Sequence, residues 1–254
     1  GVVRMPALTP KKEEEPDLFI GRRLNMIAKQ WGINGALYCM RGEEPLYDTA
    51  IGVADANKQN LNGIHTRFAA GEITMAFTAA AALILAAQGK LNMDASLDKL
   101  VPEYVHAAEI TAKELLLGQK TVPDYADYDM SFKLYQQAHK EKLGAMETFK
   151  LTWNALNGAI SDEDVLNIVN KLDVVDDPEN SAGRRSSYRI LGMAVARAYG
   201  KSLADALNEL VFAPIGMKDT GLDKEAEVTY TAKMGDESIV VGAPKLCAGE
   251  AGGV

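Results

Sequence analysis

Few residues of this 254-residue chain have both the type and the spacing that catalysis needs. Ser96 and Lys99 are three residues apart, which is the spacing of a serine nucleophile and a lysine base on one helix face. Glu72 precedes an alanine-rich segment, and a carboxylate is a candidate general base. Arg184 and Arg185 are adjacent cations that could hold a ligand carboxylate through charge-assisted hydrogen bonds.

Metal and nucleotide chemistry find no support in the sequence. His65, His106 and His139 are isolated, so a surface or packing role is the expectation for each. Cys39 and Cys247 are too few and too far apart for a disulfide framework or a zinc site. There is no phosphate-binding loop and no dinucleotide glycine fingerprint. We therefore predict no cofactor and no metal.

The composition is that of an acidic globular protein. A net charge of -8 speaks against nucleic acid as a partner, because nucleic-acid binders normally carry a basic face. The longest apolar stretch covers residues 73–87, shorter than the roughly 20 residues that cross a bilayer. We interpret it as a buried helix and predict no transmembrane span.

Hydrophobic periodicity predicts the elements that must position the candidate residues. A helix over 18–30 is followed by a β-hairpin with strands at 36–40 and 46–53. Helix patterns then occur at 72–88, 107–117, 132–142, 162–172, 188–199 and 203–212. Ser161 with Asp164 and Ser202 with Asp205 are predicted N-caps. The tail at 228–241 is predicted to hold two strands.

A series of segments in a fixed order is the most informative feature of the chain. It includes Phe68-Ala69-Ala70-Gly71, Gly89-Lys90-Leu91-Asn92-Met93-Asp94, Leu100-Val101-Pro102-Glu103-Tyr104, Ile110-Thr111, Glu114-Leu115-Leu116-Leu117, Val122-Pro123-Asp124-Tyr125, Tyr188-Arg189-Ile190-Leu191-Gly192, Gly200-Lys201-Ser202-Leu203 and Ala213-Pro214-Ile215-Gly216-Met217-Lys218-Asp219-Thr220. Between residues 47 and 222 this order resembles the serine β-lactamase and penicillin-binding-protein superfamily, in the branch of class C β-lactamases, D,D-peptidases and related esterases.

The resemblance implies an α+β fold of the β-lactamase/transpeptidase type. Such a fold has an antiparallel sheet flanked by helices beside a helical lobe, with the active site between them. It suggests an extended lead-in at 1–17, the N-terminal helix and strands at 18–68, the helical lobe at 69–222, and the start of the returning sheet at 223–254. Relatives are mostly exported, so a cell-envelope or extracellular location is also expected.

The mechanism that the resemblance implies is acylation of a serine, with a lysine as base and a tyrosine that shuttles protons. The family's Ser-x-x-Lys falls on Glu72 and Met75, of which Glu72 is not an alcohol nucleophile and Met75 has no titratable group. Its Tyr-x-Asn falls on Gly183-Arg184-Arg185, and its His-Thr-Ser-Gly stretch falls on residues 118–121, with Lys120 among them. The segments of the scaffold are present and the reactive groups are replaced.

Two other stretches have misleading spacing. Ser96 and Lys99 lie in the loop before Leu100, where the family often has a similar serine and lysine without catalytic use. Lys218-Asp219-Thr220-Gly221 resembles a broken Lys-Thr-Gly strand, but it matches the turn that ends the helical lobe. We interpret both as structural.

In the family, the glycine-rich point that matches residues 248–253 is followed by a helix, by the strands that complete the sheet, and by a Lys-Thr-Gly or His-x-Gly motif. This chain stops at Val254. The hairpin would then expose unpaired backbone groups. Two explanations stay open: the chain is a fragment, or a partner chain or rearranged element covers the edge.

Two functions from different classes follow. The first is a catalytically inactive homologue that binds a peptidoglycan-like or peptide ligand or another protein, with Glu72, Lys120, Arg184 and Arg185 as candidate binding residues. The second is a hydrolase that uses Glu72 as general base, with Arg185 or Lys120 as electrophilic helper. The structural alternatives are a helix-terminal carboxylate at Glu72, a core filler at Met75 and a solvated arginine pair.

Overall fold

The computed structural model describes residues 16–57, 59–126, 131–156, 160–176, 184–222, 226–234 and 236–242. The helices are α1 (Pro16–Trp31), α2 (Thr74–Ala87), α3 (Ala112–Leu117), α4 (Ser131–Lys140), α5 (Ala145–Leu156), α6 (Asp162–Val169), α7 (Arg184–Tyr199) and α8 (Leu203–Leu207). The strands are β1 (Gly35–Arg41), β2 (Glu44–Ile51), β3 (Val53–Asp55), β4 (Asn60–Leu61), β5 (Thr229–Met234) and β6 (Glu237–Gly242).

These elements form two compact units. The hairpin unit comprises the described residues within 16–66, 227–232 and 239–242, and the helical unit comprises those within 67–226 and 233–238. The predicted hairpin is confirmed, because β1 and β2 pair antiparallel with Gly35 opposite Ile51. The two predicted strands of the tail are confirmed as β5 and β6. The described strands pair two by two, as β1–β2, β3–β4 and β5–β6.

Helix α1 packs on strand β2 inside the hairpin unit. A Cβ added at Gly21 would lie 2.9 Å from the Tyr47 ring, so the close approach of helix and strand requires glycine there. Gly32, with φ of 61°, ends the helix near the predicted position. Thr229 ties the later strands to the same unit, because its hydroxyl accepts a hydrogen bond from Ala56 N at 3.0 Å.

The core of the helical unit forms around α2 and α7, which pack on each other. Helix α7 also contacts α3, α6 and α8, so it is the central element of this unit. Leu85 of α2 and Leu191 of α7 are fully buried. Phe77 of α2 meets Phe212 edge-to-face at 4.9 Å, which fixes the start of α2 against the segment after α8.

Four helix predictions need correction. The segment 72–88 begins with a 3₁₀ turn, Gly71–Ile73, and the α-helix starts at Thr74. The segment 107–117 divides into a 3₁₀ turn and α3, because Thr111 is an extended N-cap. The segment 203–212 continues beyond α8 as a π-helical turn. Apart from these corrections, α5 is an additional helix that none of the predicted segments covers, although its apolar residues recur at helical spacing.

The fourth correction concerns α7, which begins at Arg184 rather than at Tyr188. The sequence Arg-Arg-Ser-Ser breaks the apolar periodicity, so the pattern predicts a later start. Ser186 and Ser187 are nevertheless buried, because their hydroxyls accept hydrogen bonds from Tyr125 N and Val122 N, each at 2.9 Å. Both arginines therefore belong to the first turn of the central helix.

Candidate active site

The start of α2 holds the first two candidate residues. Gly71 has φ of 56°, a left-handed conformation, and it opens the 3₁₀ turn that contains Glu72. Ile73, the N-cap of α2, makes no side-chain capping hydrogen bond. The first amides of this helix thus lack a side-chain cap, and a carboxylate beside them is electrostatically favourable.

Glu72 itself is exposed, and no hydrogen bond or ion pair joins its carboxylate to another described residue. Catalysis by a general base needs a carboxylate held at the proton that it removes, usually by a second group. Met75 is half-buried and has no titratable atom. Together these two positions supply no alcohol nucleophile and no lysine base beside it.

Thr74 is a residue that the sequence analysis did not consider. It is the only hydroxyl-bearing residue within 68–75, and its side chain is 2% exposed. Its Oγ1 has no hydrogen-bond partner among the described residues, so no base in this part of the chain is placed to take its proton. The hydroxyl is buried and without an activating group.

Lys120 lies after α3 and contacts groups of that segment. Its ammonium donates to the Glu109 carbonyl and lies 3.4 Å from Oε1 of Glu114. Glu114 in turn completes the capping box of α3, in which Thr111 and Glu114 bind each other's backbone N–H groups. The Lys120 side chain therefore links the segment after α3 to the capping residue Glu114 and to the preceding turn, and no described bond joins it to Glu72.

The capping carboxylate of α3 has an altered acidity. Partial burial opposes its ionisation, but the hydrogen bonds from Thr111 and the Lys120 charge outweigh burial and hold the pKa of Glu114 below its ordinary value. A lowered pKa in the folded state means that this contact stabilises the protein above the unfolded-state pKa. The contribution is lost as the pH falls through the folded-state pKa.

We expect Glu114→Gln to lower the free energy of unfolding by about 1 kcal/mol at neutral pH. Because the carboxylate of the parent protein protonates in acid, the difference between parent and variant should shrink as the pH falls below its folded-state pKa. Urea denaturation at a series of pH values measures this. Glu147→Gln is the matched control, since Glu147 holds the same third position in α5 without a described capping box. Equal pH profiles for the two variants would contradict the prediction.

Arg185 forms the most buried ion pair of the candidate residues. Its Nε donates to Oδ2 of Asp124 at 2.8 Å, and the Asp124 side chain is only 4% exposed. Oδ1 of Asp124 accepts a second hydrogen bond from Ala126 N at 2.8 Å. With the bonds from Ser186 and Ser187, this pair fixes the loop 122–126 to the start of α7.

The other candidate positions of this region differ from Arg185. Arg184 is exposed to solvent, and Gly183 lies outside the described residues. Asp124 was named only as part of the segment Val122-Pro123-Asp124-Tyr125, and its pairing with Arg185 was missed. No local pattern reveals such a pair, because the partners are 61 residues apart. The interpretation of both arginines as a solvated pair is therefore wrong for Arg185.

The Ser96 and Lys99 spacing gives no reactive pair in the structure. Ser96 Oγ donates to Oδ1 of Asp98 at 2.6 Å, and Leu97 between them is fully buried. Ser96 also forms an antiparallel bridge with Thr111. The hydroxyl is thus bound to a carboxylate in a packed loop, in agreement with the structural interpretation.

Two further observations concern metal sites and membrane-spanning helices in the described part of the chain. Its residues include no group of three or more His, Cys, Asp and Glu side chains that could hold a metal ion. None of the described helices is long and apolar enough to span a membrane.

Comparison with known proteins gives a consistent match. A family model described as Beta-lactamase matches residues 25–251. A relative from Bacillus subtilis (strain 168) carries the name penicillin-binding protein PbpX. It is 24% identical over 221 residues, and the match covers 86% of this chain. The chain spans about half of that relative, 49% of its length.

Solved structures agree on the fold. A penicillin-binding protein from Bacillus halodurans aligns with a TM-score of 0.66 and 21% identity, over 91% of this chain and 68% of its own. A D-amino acid amidase from Ochrobactrum anthropi aligns with a TM-score of 0.67 and 19% identity, over 94% of this chain and 66% of its own. The α+β fold of the β-lactamase/transpeptidase type is therefore confirmed.

Proposed function

Because the chain belongs to the β-lactamase family, we propose that it is a member without the acyl-transfer reaction, which uses the family scaffold for binding. The observation that carries this proposal is the start of α2, where the exposed Glu72 and the thioether of Met75 stand at the positions matched to the nucleophile and base. Acyl transfer needs an activated alcohol. Neither position supplies one.

The cations at the other matched positions add support. Arg185 is paired with the buried Asp124, and Lys120 lies against Glu114. A cation that already neutralises a neighbouring carboxylate has less charge to offer a reacting oxygen or a water molecule. The hydrolase alternative, in which Glu72 acts with Arg185 or Lys120, would therefore need these contacts to break.

The test of the proposal is exposure of the full chain to a fluorescent penicillin, followed by intact-mass spectrometry. We expect no covalent adduct, while a relative with an intact Ser-x-x-Lys motif labels under the same conditions. An adduct that maps to a single residue, and that an unlabelled antibiotic blocks, would overturn the proposal. Should β-lactam or ester hydrolysis occur, its loss in Glu72→Gln would favour the hydrolase alternative.

The proposed ligand is a peptidoglycan-like or peptide molecule, as the family resemblance suggests. A ligand that binds only the folded state raises thermal stability with its concentration. A muropeptide should therefore raise the melting temperature in a graded manner. The absence of any shift at millimolar muropeptide would exclude this ligand class, and the absence of acylation would still stand.

A partner chain and an exported location complete the proposal. The described strands pair only two by two, and the outer edge of a strand pair carries N–H and C=O groups that a further strand can bind. We propose that another chain adds strands there, which solution mass measurements test, since a monomer at all concentrations would exclude an obligate partner. Cell fractionation of the native source tests the location.

A further inference from the structure

A groove between α6 and α7 contains none of the candidate-site residues in its lining. One face of α6 lines it with Glu163, Leu166 and Asn167, and the C-cap residue Asn170 continues this helical spacing. Helix α7 contributes Met193, Ala196 and Arg197, and Glu103 also lines the groove. The volume of about 490 Å³ falls within the range of small-molecule pockets.

The charges along this groove are balanced with one exception. Glu103 receives two hydrogen bonds from Arg197, at 2.7 and 2.6 Å. Asp162 is paired with Arg189 at 2.8 Å. Glu163 is exposed, and its carboxylate has no ion pair or hydrogen bond with another described residue. The groove thus contains one negative charge that no described side chain compensates.

The wall beside this charge is held in place by hydrogen bonds. Asn170 accepts from Val105 N at 3.0 Å and donates to the Glu103 carbonyl at 2.9 Å. Arg197 adds a bond to the Leu100 carbonyl. Since these groups are fixed before any ligand arrives, binding would not require ordering them.

The remaining lining consists of an apolar floor and an amide. Leu166, Met193 and Ala196 form the floor, and Met193 is 6% exposed. Asn167 is exposed and has no described hydrogen-bond partner, so its carbonyl oxygen is available as an acceptor. Apolar side chains beside a carboxylate and an amide of the same helix face match an aliphatic stem with a terminal cation.

We propose that this groove binds a primary ammonium group carried on an aliphatic stem, such as the side chain of a lysine in a peptide. The ammonium donates hydrogen bonds to the carboxylate of Glu163 and the amide oxygen of Asn167, and the methylenes lie along Leu166, Met193 and Ala196. The proposal is independent of the proposed function, because it uses none of the positions matched to the family's catalytic motifs.

The test uses the full chain labelled with ¹³C at its methionine methyl groups. Nα-Acetyl-lysine amide is titrated while the NMR signal of Met193 is followed, and Nα-acetyl-norleucine amide serves as the matched probe without the ammonium. We expect the lysine probe to shift the Met193 signal at about 10 mM or below, and the norleucine probe to bind at least tenfold more weakly. No shift with the lysine probe, or equal binding of both probes, would overturn the proposal.

Two variants locate the binding. Glu163→Gln should lower the affinity for the lysine probe about tenfold, because an ion pair is exchanged for a hydrogen bond to a neutral amide. Glu147→Gln, which removes a first-turn carboxylate from α5 instead, should leave the affinity unchanged. Ala196→Leu should abolish the Met193 shift by filling the floor. Equal affinity of the Glu163 and Glu147 variants would place the cation elsewhere and overturn the assignment.

A further titration identifies the source of the ammonium. Tighter binding of Nα-acetyl-lysine amide than of 1,5-diaminopentane would support a peptide or protein lysine, because the amide groups then add contacts. Tighter binding of the diamine would support a free polyamine. Either order of the two affinities supports the ammonium site, provided that Glu163→Gln lowers the affinity for the probe that binds more tightly.

Discussion

Replacement of Arg185 by methionine is expected to lower the free energy of unfolding by about 3 kcal/mol. The variant leaves the Asp124 carboxylate, whose side chain is 4% exposed, without its cation. An unpaired buried charge costs several kcal/mol, because water that would solvate it is excluded. The effect falls at the low end of the range for buried pairs, since the Arg185 side chain itself keeps 23% exposure.

Urea denaturation of the two neighbouring variants measures this effect. Arg184→Met is the matched control, because it removes an identical charge from the same helical turn at an exposed position. It should change the free energy of unfolding by no more than about 0.5 kcal/mol. If the two variants are equally stable, the Arg185–Asp124 pair does not stabilise the start of α7.

A double variant separates the charge from packing. When Asp124→Asn is combined with Arg185→Met, no carboxylate is left unpaired, and the amide Oδ1 still accepts from Ala126 N. The double variant should therefore be more stable than Arg185→Met alone. A purely additive loss would mean that Arg185 acts through contacts other than this carboxylate.

The second large effect is expected at Leu85, which is fully buried where α2 packs into the helical unit. Leu85→Ala removes apolar contacts and leaves a cavity, which costs about 2–5 kcal/mol.

Leu83→Ala on the same helix provides the control. Leu83 is 53% exposed, so its truncation removes little buried surface and should cost less than about 1 kcal/mol. Denaturant melts of the two variants give the comparison, with unchanged slopes as the check that both unfold in one transition. A larger loss for Leu83 than for Leu85 would show that the outer face of α2 is the packed one.

Local patterns of the sequence predicted much of the scaffold. The β1–β2 hairpin follows from alternation, and Gly32, Gly89 and Gly200 end helices at positive φ, as glycine permits. The capping box at Ser161 and Asp164 is confirmed with both reciprocal hydrogen bonds. Ser202 is also confirmed as an N-cap, since its hydroxyl accepts a hydrogen bond from Asp205 N at 3.1 Å, but the described bonds include no return contact from the Asp205 carboxylate to the Ser202 N–H.

The order of the family segments predicted the fold, which is confirmed, and the same order predicts that Glu72 and Met75 occupy the positions of the reactive groups of relatives. The chemistry available at the start of α2 follows from its residue types alone, because an amino acid's functional group does not depend on the fold. Residue types and their order also predict the helices and turns whose signals act over a few residues, such as periodicity, capping and glycine conformation.

The partners of the candidate cations follow from the packing of elements that are distant in sequence. Arg185 pairs with Asp124, which is 61 residues away, and Lys120 lies against Glu114 rather than near Glu72. The same packing sets the start of α7, where buried serines bind the backbone of a distant loop, and forms the groove between α6 and α7. Such contacts depend on which elements the folded chain brings together. Local propensity acts over a few residues, so it does not encode contacts between residues that are distant in sequence.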